Sequence, residues 1–95
     1  MFMRIVRPQI KPDKVEEAAQ RWKEFVGSRA RQNPKFKSGY MAASADRSSV
    51  VAITLWDELP DEAATKQFQS DVAAHLQDLL TGPPSFDEYE ILAQL

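Results

Sequence analysis

Residues 50 to 56, with the sequence VVAITLW, form the only long, charge-free run rich in β-branched side chains, and they constrain the fold more than any other stretch. The run has neither the period of an amphipathic helix nor the clean alternation of a half-exposed strand. A strand covered on both faces has this character, so we predict a central strand with apolar material against each face. Alternation places two sets of side chains on opposite faces: Val51, Ile53 and Leu55 on one, and Val50, Ala52, Thr54 and Trp56 on the other.

The residues before this run predict two more strands and a helix. A first strand is expected from Phe2 to Ile10, although Pro8 cannot donate to a ladder and should lie at its end or in a bulge. Pro12 or an N-capping Asp13 should begin a helix that is loosened at its end by Gly27 and Ser28. Its apolar stripe is Val15, Ala18, Ala19, Trp22, Phe25 and Val26. The second strand is predicted from Phe36 to Ala45, where small residues leave room for a cavity.

The residues around and after the central run predict a hairpin, a helix and a final strand. Asp46, Arg47 and Ser48 form a short polar link between strands two and three, which should pair as an antiparallel hairpin. Asp61 is the expected N-cap of a second helix that Gly82-Pro83-Pro84 ends. The helix stripe is Ala64, Phe68, Val72, Leu76, Leu79 and Leu80. The last strand is predicted from Phe86 to Leu95, with Glu88 and Glu90 on its solvated face.

The element order β-α-β-β-α-β predicts one α+β domain over residues 1–95 with the ferredoxin-like arrangement. Right-handed crossovers would fold it into a four-stranded antiparallel sheet with both helices on one face. The other face would expose the apolar side chains of the central strand, so we expect a homodimer in which two sheets pack face to face. The pattern leaves open which face of the central strand meets the helices.

Composition argues against several classes of partner. The 12 basic and 14 acidic residues give a net charge of −2 without blocks of either sign, so neither nucleic acid nor an anionic membrane is an expected partner. An RNA-binding module of the same topology would carry basic and aromatic residues on its third strand, which is uncharged here. With no cysteine, no apolar leader and a single histidine, a cytoplasmic location without a histidine metal cluster is expected.

Several motifs together resemble the antibiotic biosynthesis monooxygenase family of dimeric α/β barrels. They are the KP turn after the first strand, a helix with a central Trp, a GY near the second strand, ITLWDE followed by the SDVAAHL helix, and the closing DEYEIL. The resemblance spans nearly the whole chain, but these are motifs of the fold more than of catalysis. It implies a homodimer that oxygenates a hydrophobic aromatic molecule, a reduced polycyclic phenol or quinol, without a cofactor in a pocket between sheet and helices.

A haem-degrading branch of that family uses the same pocket. Its pattern is an Asn on the first strand, a Trp within the second helix and an axial His late in that helix. Only His75 matches, since Asn33 lies in a predicted loop and Trp56 at a strand end. The sequence therefore favours the cofactor-free reading over haem degradation.

Cofactor-free oxygenation needs a proton acceptor, donors that stabilise the substrate anion, and a dry pocket. We predict His75 as the proton acceptor and Tyr40 as a catalytic donor to the phenolate oxygen. Arg4 and Arg7 would stabilise the anion, and Trp22, Trp56 and Phe68 would wall the ring.

Each of these residues also has a structural explanation. His75 fits the edge of a helix stripe, and the two Trp residues fit the core or the dimer interface. A non-catalytic dimer that binds a small molecule, or that is purely structural, is therefore the alternative. If His75 is the base, its replacement by Ala should lower turnover by roughly 10²-fold.

Overall fold

The computed structural model describes residues 1–95 and confirms the predicted element order. One antiparallel sheet has the strand order β2-β3-β1-β4, and two helices cover one of its faces. The strands are β1 (Phe2–Ile10), β2 (Phe36–Ala43), β3 (Val50–Trp56) and β4 (Leu80–Glu90). The helices are α1 (Val15–Ala30) and α2 (Glu62–Leu76), with 3₁₀ turns at Pro12–Lys14 and Gln77–Leu79. Neither helix is long and apolar enough to cross a membrane.

The burial of β3 alternates strictly and shows which face meets the helices. Its buried side chains face α1 and α2 on what we call the inner face: Val50, Ala52, Thr54 and Trp56. The half-buried set lies on the opposite, outer face: Val51, Ile53 and Leu55. Met3 and Ile5 of β1 pair with Leu55 and Ile53, so they extend this apolar outer face onto the neighbouring strand. The two predicted sets are thus confirmed.

Pro8 lies in an irregular part of β1, as expected. β1 is a central strand between β3 and β4, and its register against β4 shifts between Arg7 and Gln9 and again between Gln9 and Ile10. This agrees with the expectation that Pro8 lies at the strand end or in a bulge. The irregularity removes the ladder bond that Pro8 cannot donate.

The boundaries of α1 differ from the prediction at both ends. The chain enters through the 3₁₀ turn at Pro12–Lys14, so Pro12 occupies the first turn as one of the two predicted alternatives. Neither this turn nor α1 has a side-chain cap, so the alternative role of Asp13 as N-cap was wrong. The helix also continues through Gly27 and Ser28, and the Gly27 carbonyl accepts a hydrogen bond from the amide of Arg31 at 3.2 Å. A Cβ on Gly27 would meet nothing within 4 Å, so no steric demand explains this glycine. It destabilises the helix by about 0.5–1 kcal/mol relative to Ala.

The predicted N-cap of α2 is confirmed, but the boundary between α2 and β4 was predicted wrongly. Asp61 Oδ1 accepts a hydrogen bond from the Ala64 amide at 2.7 Å. The helix ends at Leu76, and the Gly-Pro-Pro segment lies inside β4, where an edge strand tolerates proline. β4 spans Leu80–Glu90, not the predicted Phe86 to Leu95. It stops there because Glu90 pairs with Phe2, the first residue of β1, so no strand remains for the last residues to join.

The core is small and divided. Only 11 of the 95 residues are buried. One buried cluster contains Ala18, Leu76 and Leu79, and the other contains Val26, Ala30 and Trp56. Val72 of α2 packs against both clusters.

The β2–β3 hairpin forms as predicted, although β2 ends at Ala43 rather than Ala45. Asp46 organises its turn: Oδ1 accepts from the hydroxyls of Ser44 and Ser48, each at 2.7 Å, and from the Ser48 amide at 3.0 Å. These bonds to the ionised carboxylate lower the pKa of Asp46 to about 2.

We expect the stabilisation from Asp46 to disappear in acid. Because its pKa is lower in the folded chain than in the unfolded chain, its contribution is present above about pH 4 and is lost as the pH falls towards about 2. Asp46→Ala should therefore lower the melting temperature most at about pH 5, and the difference from wild type should shrink by about pH 2.5. Thermal melts across this range test the effect. Asp13→Ala, which removes a carboxylate without a side-chain hydrogen bond, is the control, and an equal pH dependence there would contradict the assignment.

Candidate active site

An apolar cavity of about 50 Å³ lies between the inner face of the sheet and the two helices. Its lining is mostly hydrophobic and includes Val6 of β1, Met41 of β2, Ala52 of β3 and Ala73 of α2. It also contacts Val26 of one buried cluster and Leu76 of the other. A space of this volume holds on the order of four water molecules and is about a third of the roughly 150 Å³ cavity that binds benzene.

Arg4 is the one charged side chain in the cavity lining. It is 3% exposed, and its Nε and Nη2 atoms donate to Glu88 Oε1 at 3.1 and 3.0 Å. Nη2 also donates to Thr65 Oγ1 at 2.9 Å, and the guanidinium lies 5.6 Å from the ring centroid of Trp56. Nη1 forms no hydrogen bond with the protein. Glu88 and Thr65 therefore fix the Arg4 guanidinium at the cavity, and its two Nη1 N–H donors stay free.

The register of the sheet and the cap of α2 explain this geometry. Arg4 pairs with Thr54 on one side and Glu88 on the other, so both neighbours share its inner face. Thr65 lies in the first turn of α2, just after the Asp61 cap, and its hydroxyl donates to the Pro60 carbonyl at 3.3 Å. This bond orients the Thr65 oxygen to accept from Arg4.

The structure brings four of the seven predicted site residues together. Arg4, Trp22 and Phe68 line the cavity. Trp56 is buried behind Arg4, and its Nε1 donates to Thr54 Oγ1 at 2.8 Å. Trp56 therefore supports the guanidinium without bordering the cavity.

The other three predicted residues lie away from the cavity. His75 is exposed on α2, where its ring stacks on Phe25 with a centroid separation of 4.4 Å. Tyr40 pairs with Ile53, so it lies on the outer face, and it is 60% exposed. Arg7 is on the same outer face in a 2.9 Å ion pair with Asp87. The expectation that these side chains converge with Arg4 in one pocket is not met.

Sequence reasoning missed Glu88 and Thr65. Glu88 was predicted on the solvated face of the last strand, but it bonds to Arg4 on the inner face. A correct register for β4 would have identified it, because the residue opposite a buried arginine must satisfy that charge. Thr65 carries no sequence signal beyond its position one turn after the cap.

Two ion pairs join α1 to α2 and to the 3₁₀ turn that follows α2. Arg29 of α1 pairs with Asp71 of α2 and also lies 5.4 Å from the ring centroid of Phe68, which lines the cavity. Arg21 pairs with Asp78 at 2.6 Å just beyond α2. The hydrogen bonds from Arg29 and Arg21 lower the pKa values of Asp71 and Asp78, respectively. No group of three His, Asp or Glu side chains is arranged to hold a metal ion.

Solved structures with the same architecture were found across nearly the whole chain, whereas no family model and no curated protein sequence matches it. A protein of Nitrosomonas europaea, provisionally described as an antibiotic biosynthesis monooxygenase, is 21% identical with a TM-score of 0.75 over 98% of this chain and 100% of that one. A monooxygenase from the gene ActVA-Orf6 of Streptomyces coelicolor, in complex with nanaomycin D, is 18% identical with a TM-score of 0.75 over 99% of this chain and 89% of that one. The chain therefore has the ferredoxin-like α+β fold of the antibiotic biosynthesis monooxygenases.

Proposed function

We propose that this chain is a cofactor-independent monooxygenase whose substrate is a reduced aromatic, a polycyclic phenol or quinol. The observation that carries the proposal is the buried Arg4 with its uncommitted Nη1 donors, the one charged group in a mostly hydrophobic cavity. The chain shares its fold with the Streptomyces coelicolor monooxygenase, and this likeness supports a proposal of the same class of reaction.

Arg4 would act on the substrate oxygen. A phenol or its keto form reacts with dioxygen after it loses a proton and becomes an electron-rich anion. Nη1 of Arg4 can bind the anionic oxygen in a site of low dielectric constant, where a charge-assisted hydrogen bond is strong. Glu88 is the one carboxylate bonded to a cavity-lining side chain, and its Oε2 forms no hydrogen bond. We assign Glu88 Oε2 as the proton acceptor in place of His75.

The reaction balances without a cofactor. For an anthrone, the carbanion-like ring carbon attacks dioxygen and forms a C–O bond to a peroxide. The O–O bond then breaks, one oxygen stays as the new carbonyl, and the other leaves as water with the two hydrogens of the original methylene group. The substrate supplies all four electrons that reduce dioxygen.

We propose that two chains associate through the outer face. Met3, Ile5, Val51, Ile53 and Leu55 are only half-buried there, and they form a continuous apolar surface in the middle of the sheet. A subunit with 11 buried residues has a small core of its own. Packing of this surface against a second copy would cover the outer face of β3, which is only half-buried in the single chain.

Oxygen uptake by the purified protein, measured with anthrone and with 1,4-naphthohydroquinone, tests the proposed activity. Uptake above the uncatalysed rate supports it. Binding of an aromatic ligand without uptake would support the non-catalytic alternative, which the small volume of the cavity favours. Absence of both uptake and binding would contradict the proposal.

We expect His75→Ala to change the rate of oxygen uptake less than about two-fold. The imidazole lies outside the cavity and stacks on Phe25, so its removal leaves Arg4 and Glu88 in place. Steady-state oxygen uptake with anthrone is the measurement. A loss of about 10²-fold would identify His75 as the base and contradict the assignment of Glu88.

A further inference from the structure

A second, more open space adjoins the cavity. This groove of about 480 Å³ lies between α1 and the edge strand β2. It shares four lining residues with the cavity: Trp22, Val26, Met41 and Thr54. Trp22 is half-buried and forms part of the wall between the two spaces. Its indole lies against Gly39, where an added Cβ would be 3.3 Å from the Trp22 Cη2 atom.

The charged residues that line the groove are all cationic. They are Lys23 of α1, Arg31 at the end of that helix and Lys37 of β2. Lys37 is paired with Asp57 at 2.9 Å, whereas Lys23 and Arg31 form no ion pair. Glu24 lies next to this cationic set on α1, but it accepts a hydrogen bond from Gln20 on the helix exterior and does not line the groove. The groove therefore presents two positive charges without an ion-pair partner beside the wall of an aromatic-lined cavity, although Glu24 lies with both of them along an adjacent surface depression.

Gly27 contributes no side chain to the helical wall of the groove. It lies within α1, where glycine is unfavourable, and its missing Cβ would meet no other atom within 4 Å. Gly39 and Gly82 differ, because a Cβ on either would come within 3.4 Å of neighbouring atoms. Close packing therefore explains those two glycines but not Gly27, which lines the groove.

We propose that the groove binds the carboxylate of an aromatic acid whose ring system extends past Trp22 into the cavity. This inference rests on the proposed function and names its substrate class. The cavity of about 50 Å³ is smaller than the roughly 150 Å³ that binds benzene, so a polycyclic ligand must continue beyond the wall formed in part by Trp22. The space on the far side carries unpaired cations, which complement an anionic end of the ligand.

Calorimetric titration with two probes of similar shape tests this site. 2-Naphthoate carries the carboxylate, and 2-naphthalenemethanol replaces it with a neutral group. We expect the wild-type protein to bind naphthoate about 10-fold more tightly than naphthalenemethanol. This ratio of affinities should decrease as the salt concentration rises from about 50 to about 500 mM. The double variant Lys23→Gln/Arg31→Gln should weaken naphthoate binding about 5- to 10-fold and leave naphthalenemethanol within about two-fold.

Two further variants complete the test. Lys66→Gln removes an exposed lysine of α2 outside the groove and should leave both affinities unchanged. Gly27→Leu should raise the melting temperature, because leucine favours helix, yet weaken naphthoate binding about 10-fold by filling the groove. This variant separates loss of the site from loss of the fold.

The contrary outcomes separate the two proposals. Equal affinities for both probes, or a naphthoate preference that survives the double variant, would overturn the groove inference and leave the oxygenase proposal standing. A change of subunit mass in Gly27→Leu, read by sedimentation, would show that the groove is a contact between chains and would also overturn it. Failure of both probes to bind would overturn the groove inference and the aromatic site together.

Discussion

Replacement of Arg4 by Met should lower oxygen uptake with anthrone by about 10²- to 10³-fold while the protein stays folded. The loss follows because the substrate anion would have no charged donor in an apolar cavity, and removal of one such donor has an effect of this size. Met has a similar length and no charge, so the apolar cavity accepts it. Glu88, which is 44% exposed, can turn to water, and we expect stability to change by only about 1 kcal/mol.

The matched control for this variant is Arg7→Met. Arg7 lies on the same strand and has one carboxylate partner, but it lies on the outer face. Its replacement should leave oxygen uptake within about two-fold of wild type. The opposite pattern, with Arg4→Met active and Arg7→Met inactive, would move the site to the outer face.

Glu88→Gln tests the assigned proton acceptor. The variant keeps the side-chain shape and an oxygen that can accept from Arg4. A loss of oxygen uptake of about 10²-fold relative to wild type would therefore identify Glu88 as the proton acceptor.

Replacement of Ile53 by Asp should convert the proposed dimer into a monomer. Ile53 is at the centre of the outer face, paired with Ile5 on one side and Tyr40 on the other. An unpaired carboxylate buried there would weaken association by several kcal/mol, which corresponds to a dissociation constant raised about 10³-fold or more. Sedimentation should change from twice 10.8 kDa to 10.8 kDa across a concentration series.

Ala74→Asp is the control for that experiment. It adds the same charge on the exposed surface of α2, far from the outer face, and it should leave the sedimenting mass unchanged. Circular dichroism of both variants should show that the subunit keeps its helices and strands. A wild-type protein that already sediments at 10.8 kDa, or an Ile53→Asp variant that remains a dimer, would contradict association through this face.

Local patterns predicted those parts of the fold that local physics determines. The boundaries of β1 and β3 were predicted as observed, because β-branched runs and the following Lys-Pro and Asp-Glu pairs act over a few residues. The Asp61 cap was predicted for the same reason. The start of β4 was not predicted, because its partner in the ladder, the end of β1, is about 70 residues away. Only that pairing shows that strand structure continues through Pro83 and Pro84.

The candidate site was predicted less well, and the same long-range register explains why. Trp22 and Phe68 were assigned to the cavity because large aromatic side chains of two helix stripes meet over the sheet. Tyr40 depended on the hairpin register, which places it opposite Ile53 and therefore on the outer face. His75 depended on the rotation of α2, which turns Val72, Ala73 and Leu76 to the cavity. His75 lies outside that stripe and stacks on Phe25 of α1.

The division of the core into two clusters, bridged by Val72, gives a bound molecule a second role. The part of a ligand that enters the cavity would contact Val26 on one side and Leu76 on the other, and the two clusters would then form one continuous core. Such a ligand would stabilise the fold by mass action and would also make its two ends unfold together. In the empty subunit each end can open with less resistance from the other, which offers a route by which a rigid aromatic molecule can enter the interior.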